Sequence, residues 1–392
     1  MTVQTSMKLN FPFRSNYPNY ETGQSTLLTT PQRISALPDF TGRGVQMAFI
    51  DSGFSNHPDL TNRVRMHVDA STRHILEQDC VKETNGMSWH GQMTSVIAAG
   101  DGRSSDGHFR GIATEAELFL IKVSTPDFRI KERDILRGLQ WVFDSHHRHN
   151  IRVVNVSVGG DFHNNDSNHF LHRIVHKLFD IGIIVVIAAG NSGSNFLVPP
   201  ASAPEAITVG GYDDQNSLDQ EHWTLYHHNY GTVYDGSQKP DLIAPANWIA
   251  SPLLPDSPTE TEIGYLARML DVHSADELKP ILQEGREALR LTDTEVETVT
   301  FQLFSDLQER IYHHKVIDGK HQHVDGTSVA APITAAVIAQ MLEANPKLTP
   351  QQVYNILTDT AKPRDNFDSH RQGAGLLDAP AAVLAAKQFV TA

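Results

Sequence analysis

Four apolar runs constrain the fold of this chain more than anything else in it: GVQMAFI (44–50), ELFLIKV (117–123), IRVVNVSV (151–158) and GIIVVIAA (182–189). Runs this continuous and this rich in β-branched residues suit strands covered on both faces. Between them lie stretches of helical character, at His90 to Ala99, Lys131 to His147 and Ser167 to Ile181. Strand and helix in alternation predict an α/β fold, a doubly wound and mostly parallel sheet with helices on both sides. In such sheets ligands bind beyond the carboxyl ends of the strands. The polar residues directly after each run are therefore the ones that matter: Asp51, Ser157 to Gly160, and Asn191.

A fourth position comes from HVDGTSVAAPITAAVIA (323–339), where a polar turn meets a uniformly apolar stretch. Its length and composition predict a helix buried on all sides. Pro332 fits only a first turn, which puts the helix start within a residue or two of Ser328. Unpaired backbone N–H groups and the positive end of the macrodipole gather there. Such a place suits an N-cap serine, the commoner use, and equally a hydroxyl that attacks a carbonyl and leaves an oxyanion.

Taken singly, Asp51 reads as a turn former, His90 as a solvated histidine and Asn191 as a loop residue. Together with Ser328 they match one chemistry. A serine becomes nucleophilic when an imidazole takes its proton, and a buried carboxylate fixes that imidazole. The resulting oxyanion needs donors, here the Ser328 backbone N–H and the Asn191 amide. The chain order Asp, His, Ser is the subtilisin order.

The segments FIDSGFSNHPDL, WHGQMTSVIAAG, GIATEAELFLIKV, VVNVSVGG, VVIAAGNSG and DGTSVAAPITAAVIA occur in family order. From about Thr41 to Pro380 the chain thereby resembles the subtilisin-like serine proteases, the subtilases. The resemblance implies a serine endopeptidase acting on peptide or protein substrates, with Asp51, His90, Ser328 and Asn191 catalytic. It makes His57, within HPDL, a non-catalytic histidine. Substrate would pair with Ser157, Val158, Gly159 and Gly160, and Ala188, Ala189 and Gly190 would wall a pocket for a sizeable apolar side chain. Gln92 and Met93 stand where the family has Thr-His, and Ala246 where it has Gly. A narrow processing or peptide-joining enzyme, or a silent binding protein on the same scaffold, are the other readings. No cofactor is required. Structural calcium is a family habit, for which DDQNSLDQE from Asp213 is the candidate stretch, and His321 with His323 offers a weaker alternation for zinc.

Residues 256–315 break the rhythm with thirteen acids against six bases. Two capping boxes, Ser274 with Glu277 and Thr292 with Glu295, open amphipathic helices. The segment is expected to be a helical insertion into a peptidase domain of 41–392, overhanging the cleft as a lid or decorating its periphery. Residues 1–40 form an arm in which LNFPFRSNYPNY suits a short inhibitory leader. The net charge of −14, without a basic stripe, argues against nucleic acid. No apolar run is read as long enough to cross a membrane. One cysteine, Cys80, and no signal-peptide pattern fit the cytoplasm, or secretion if a leader has been removed. Oligomeric state is left open.

Overall fold

The computed structural model describes residues 13–15, 17–18, 27–81 and 84–390. They form two compact units, one of residues 27–249 with 325–392, the other of 250–324 with the described part of 1–26.

The larger unit is built on β1 (Gln46–Asp51), β2 (Val64–Asp69), β3 (Leu76–Gln78), β4 (Glu117–Lys122), β5 (Ile151–Val156), β6 (Ile184–Ala188), β7 (Ile207–Asp213), β8 (Thr224–Leu225) and β11 (Leu242–Pro245); a small separate ribbon joins β9 (Gly231–Thr232) to β10 (Gln238–Lys239). The main sheet runs β11-β7-β6-β5-β1-β4-β2-β3, with β8 beside β7. All pairs are parallel except β2 with β3 and β7 with β8. Each predicted run contributes a strand, because residues of both faces are buried: Met47, Ala48, Phe49 and Ile50 are all fully covered. Of the early helices, the short α1 (Thr30–Arg33) precedes the sheet, and α2 (Ser88–Ala99), α3 (Glu132–His149) and α4 (Phe170–Asp180) fall where expected. Ala48, Ile50, Ile121, Val154 and Val185 pack with Ile135 and Leu139 of α3 and Leu171 and Val175 of α4. At about 1.5–3 kcal/mol for each large side chain removed from water, this face is a main source of stability.

Among the described residues, the smaller unit holds β12 (Ile249–Pro252) from Ala250 onward, paired with β13 (His321–Val324), and the helices α5 (Pro258–Met269), α6 (Ala275–Glu284), α7 (Asp293–Glu297) and α8 (Phe301–His314). Ser257, Ser274, Thr292 and Thr300 cap them by accepting backbone N–H groups. The box at Thr292 is complete, whereas Glu277 reaches back to the N–H of His273 instead of Ser274. Ile263, Leu266, Leu278, Leu307 and Ile311 form the core, into which Phe13 is fully buried. Arg14 exchanges two backbone hydrogen bonds with the Gln308 amide, and the Ser15 hydroxyl donates to Val316 O at 2.6 Å. Of the suspected inhibitory stretch, residues 9–12, 16, 19 and 20 lie outside the described residues.

The chain returns to the larger unit with α9 (Thr327–Ala344), followed by α10 (Pro350–Thr360), α11 (Ser369–Gln372) and α12 (Ala379–Gln388). Every residue of α9 from Thr327 to Leu342 is buried. Contrary to the sequence reading, this helix is long and apolar enough to cross a membrane, but its 83% burial inside the protein marks it as a core helix. Pro332 is also not in the first turn: it is the sixth residue of α9. Its missing N–H would have met the Ser328 carbonyl, and the Ser157 hydroxyl contacts that carbonyl instead at 3.4 Å.

Candidate active site

Asp51 ends β1 with its carboxylate fully buried. Its Oδ1 accepts from the Ser52 N–H at 2.6 Å and lies 2.6 Å from His90 Nδ1; the Thr94 hydroxyl is 3.2 Å from Oδ2. His90 belongs to the first turn of α2, which approaches β1 closely because residue 91 is glycine. A Cβ there would stand 2.2 Å from Gly53 O and 2.9 Å from Asp51 Cβ. Burial works against the imidazolium, but the charge and hydrogen bond of Asp51 outweigh it and hold the His90 pKa above the ordinary histidine value. With Nδ1 engaged, Nε2 is the nitrogen left for proton transfer.

Ser328 is the second residue of α9. The helix is capped by Gly326, at φ +134°, a conformation that L side chains rarely adopt, so Ser328 does not serve as the cap. Its hydroxyl donates to Ser157 O at 3.3 Å, not to His90. Ser157 directly follows β5, and β5 pairs with β1 with Ile50 opposite Val156. Asp51 and Ser157 thus leave neighbouring strand ends, about 5 Å apart by ordinary sheet geometry. The acid–imidazole pair and the hydroxyl share the carboxyl edge of the sheet.

Asn191 follows β6 on the same edge. Its Oδ1 accepts from both the N–H and the hydroxyl of Thr327, each at 2.9 Å. The Thr327 hydroxyl in turn accepts the Gly190 N–H at 3.0 Å. This leaves the Asn191 NH₂ as a fixed donor near Gly326, whose absent Cβ would be 3.2 Å from it. Gly190, at φ +98°, admits the Asn229 side chain, and Asn229 Oδ1 gathers the N–H groups of Ser192 and Ser194. The sequence reading missed Thr327, Thr94 and Asn229; for Thr327 the signal was its place beside Ser328 in the quoted DGTS.

Val158, Gly159 and Gly160 continue from Ser157 and are at least partly exposed, and Gly160 N–H donates to Pro199 O at 2.8 Å. Ala188 and Gly190 are partly exposed, whereas Ala189 is buried in the core with its N–H on Val209 O. Gln92 is fully buried and accepts from Ser55, bracing the turn after Asp51. Ala246 is accommodated because Gly211 faces it: a Cβ on Gly211 would be 2.3 Å from that of Ala246. Ala246 O accepts the Gly326 N–H at 2.8 Å, at the entrance to α9. In the stretch offered for calcium, Asp213 is engaged by Gln215 and Asn247, and Asp214 pairs with Arg33. Further along, Asp219, Glu221 and His222 bring ligand atoms within 4.8 Å of one another at the surface. His321 is hydrogen-bonded to Asp318 at 2.9 Å.

The subtilase family model matches residues 42–375. Serine protease AprX of Bacillus subtilis is 29% identical over 348 residues, covering 86% of this chain and 66% of its own length. Subtilisin BL of Lederbergia lenta is 31% identical over 177 residues, 45% of this chain and 59% of that one. The chain thus spans about two thirds or less of these relatives. Among solved structures, the protease domain of PatA superposes with a TM-score of 0.60 at 19% identity, covering 90% of this chain and 98% of that domain. The fold is shared with that domain, and the sequence match runs through every segment that supplies the site: this chain belongs to the subtilase family.

Proposed function

We propose that the protein is a serine endopeptidase that cleaves peptide or protein substrates by way of an acyl-enzyme. The observation that carries this reading is the 2.6 Å contact between a buried Asp51 and His90 on the sheet edge that also holds Ser328 and Asn191. Substrate binding turns the Ser328 hydroxyl from Ser157 O to His90 Nε2, since catalytic hydrogen bonds are often completed only in the complex. The oxygen attacks the scissile carbonyl as its proton passes to Nε2, and Asp51 steadies the imidazolium. The Ser328 N–H and the Asn191 amide receive the oxyanion. The carbon–nitrogen bond then breaks, the proton goes to the leaving amine, and water repeats the sequence to free the acid.

Labelling with a fluorophosphonate probe and hydrolysis of casein test this directly. Wild type is expected to do both and Ser328→Ala neither. Labelling that persists in the variant, or is missing from wild type, refutes the assignment.

A further inference from the structure

The segment that follows β5 runs from Ser157 to Gly160 and spans at most about 10 Å. There a carboxylate lies against the backbone. Glu132, the first residue of α3, approaches so closely that a Cβ on Gly160 would stand 2.2 Å from its Oε1. Its Oε2 is 3.5 Å from Nε2 of His169, the residue preceding α4; the two side chains are 24% and 9% exposed. The buried Nδ1 of His169 has no hydrogen-bond partner among the described residues. Among the described residues, no lysine or arginine comes within ion-pair distance of Glu132. The start of a helix favours an acid there, yet this acid also presents an open, partly screened face at the end of the edge.

We propose that Glu132 recognises a lysine or arginine three residues N-terminal to the residue whose carbonyl Ser328 attacks. The inference rests on Ser157–Gly160 being the substrate edge and Ser328 the nucleophile. A substrate strand laid antiparallel along that segment places that residue at Gly160, beside the Glu132 carboxylate that occupies the space next to the glycine. A cation there gains a charge-assisted hydrogen bond to the Glu132 carboxylate, stronger than a neutral one, and partial burial limits its screening by salt.

Cleavage of a peptide library varied at this position, mapped by mass spectrometry, tests the proposal. Wild type is expected to favour arginine and lysine over norleucine by about tenfold. Glu132→Gln should bring that ratio close to one, and Glu132→Lys should turn the preference toward aspartate and glutamate. Titration with a fluorophosphonate counts competent molecules in each preparation, so a misfolded variant is not mistaken for an unselective one. Cleavage without a basic preference, or a preference that survives Glu132→Gln, overturns the proposal. A wild type that neither cleaves nor takes the probe overturns the catalytic reading beneath it.

Discussion

Thr327 grips Asn191 through two hydrogen bonds to one oxygen, both 2.9 Å long. The residue next to the candidate nucleophile therefore sets the direction of the candidate oxyanion donor. Asn191→Ala is expected to lower kcat by about 10² to 10³, the general size for one oxyanion donor. Thr327→Val, which keeps the shape and one of the two bonds, should lower kcat about tenfold with little change in KM. If the two act through one another, the double variant will be hardly worse than Asn191→Ala alone. Additive losses in steady-state kinetics would separate them.

His90 must be neutral to accept the serine proton, and Asp51 holds its pKa above the ordinary value of about 6.5. The acid limb of kcat/KM should accordingly have its midpoint above 6.5, moving down in Asp51→Asn as kcat falls by about 10⁴. The same raised pKa makes protonated His90 a stabilising contact below 6.5, and this contribution fades as pH rises through the folded-state value. A midpoint unmoved by Asp51→Asn would contradict the coupling.

Gly91→Ala has nowhere to put its methyl, since Gly53 O and Asp51 Cβ occupy the space. Chemical denaturation should show a loss of about 1–3 kcal/mol, the cost of overpacking. Activity should suffer more than stability, because relief of the clash moves His90 from Asp51. Full activity in a destabilised variant would mean that the pair tolerates the shift.

Two buried histidines predict acid sensitivity. Burial pushes both His67 and His228 down to about 4. For a lowered pKa in a basic group, the stabilisation is complete above about 6.5 and is lost as pH falls from there to about 4, on the order of 3 kcal/mol apiece. His67 Nδ1 lacks a partner among the described residues, so His67→Met should cost little at pH 7 and flatten part of the acid loss in thermal melts. His228 receives the Gly211 N–H and donates to Arg371 O at 2.7 Å, so its replacement should be costly at every pH. Equal effects at the two positions would show that hydrogen bonding there is of no account.

The parallel sheet was readable because a strand buried on both faces has to be apolar throughout, and 44–50, 117–123, 151–158 and 182–189 are nearly so. The same logic located Asp51, Ser157 and Asn191, since a polar residue that ends such a run stands at the carboxyl edge. A start of α9 beside Ser328 was legible from the abrupt change to small apolar residues. Pro332 misled as to its turn, because the compensation for its missing N–H comes from Ser157, 171 residues away from Ser328.

Periodicity and composition thus determined which segments become strands and helices and which residues stand at their ends, for these depend on neighbours a few positions away. Tertiary structure alone decided that His90 meets Asp51 across 39 residues and that Thr327 fixes Asn191 across 136. It likewise brought Glu132 onto Gly160. Such contacts arise when whole elements pack, and the close approaches at Gly91 and Gly160, where an added Cβ would stand 2.2 Å from a neighbouring oxygen, depend on every side chain beneath them.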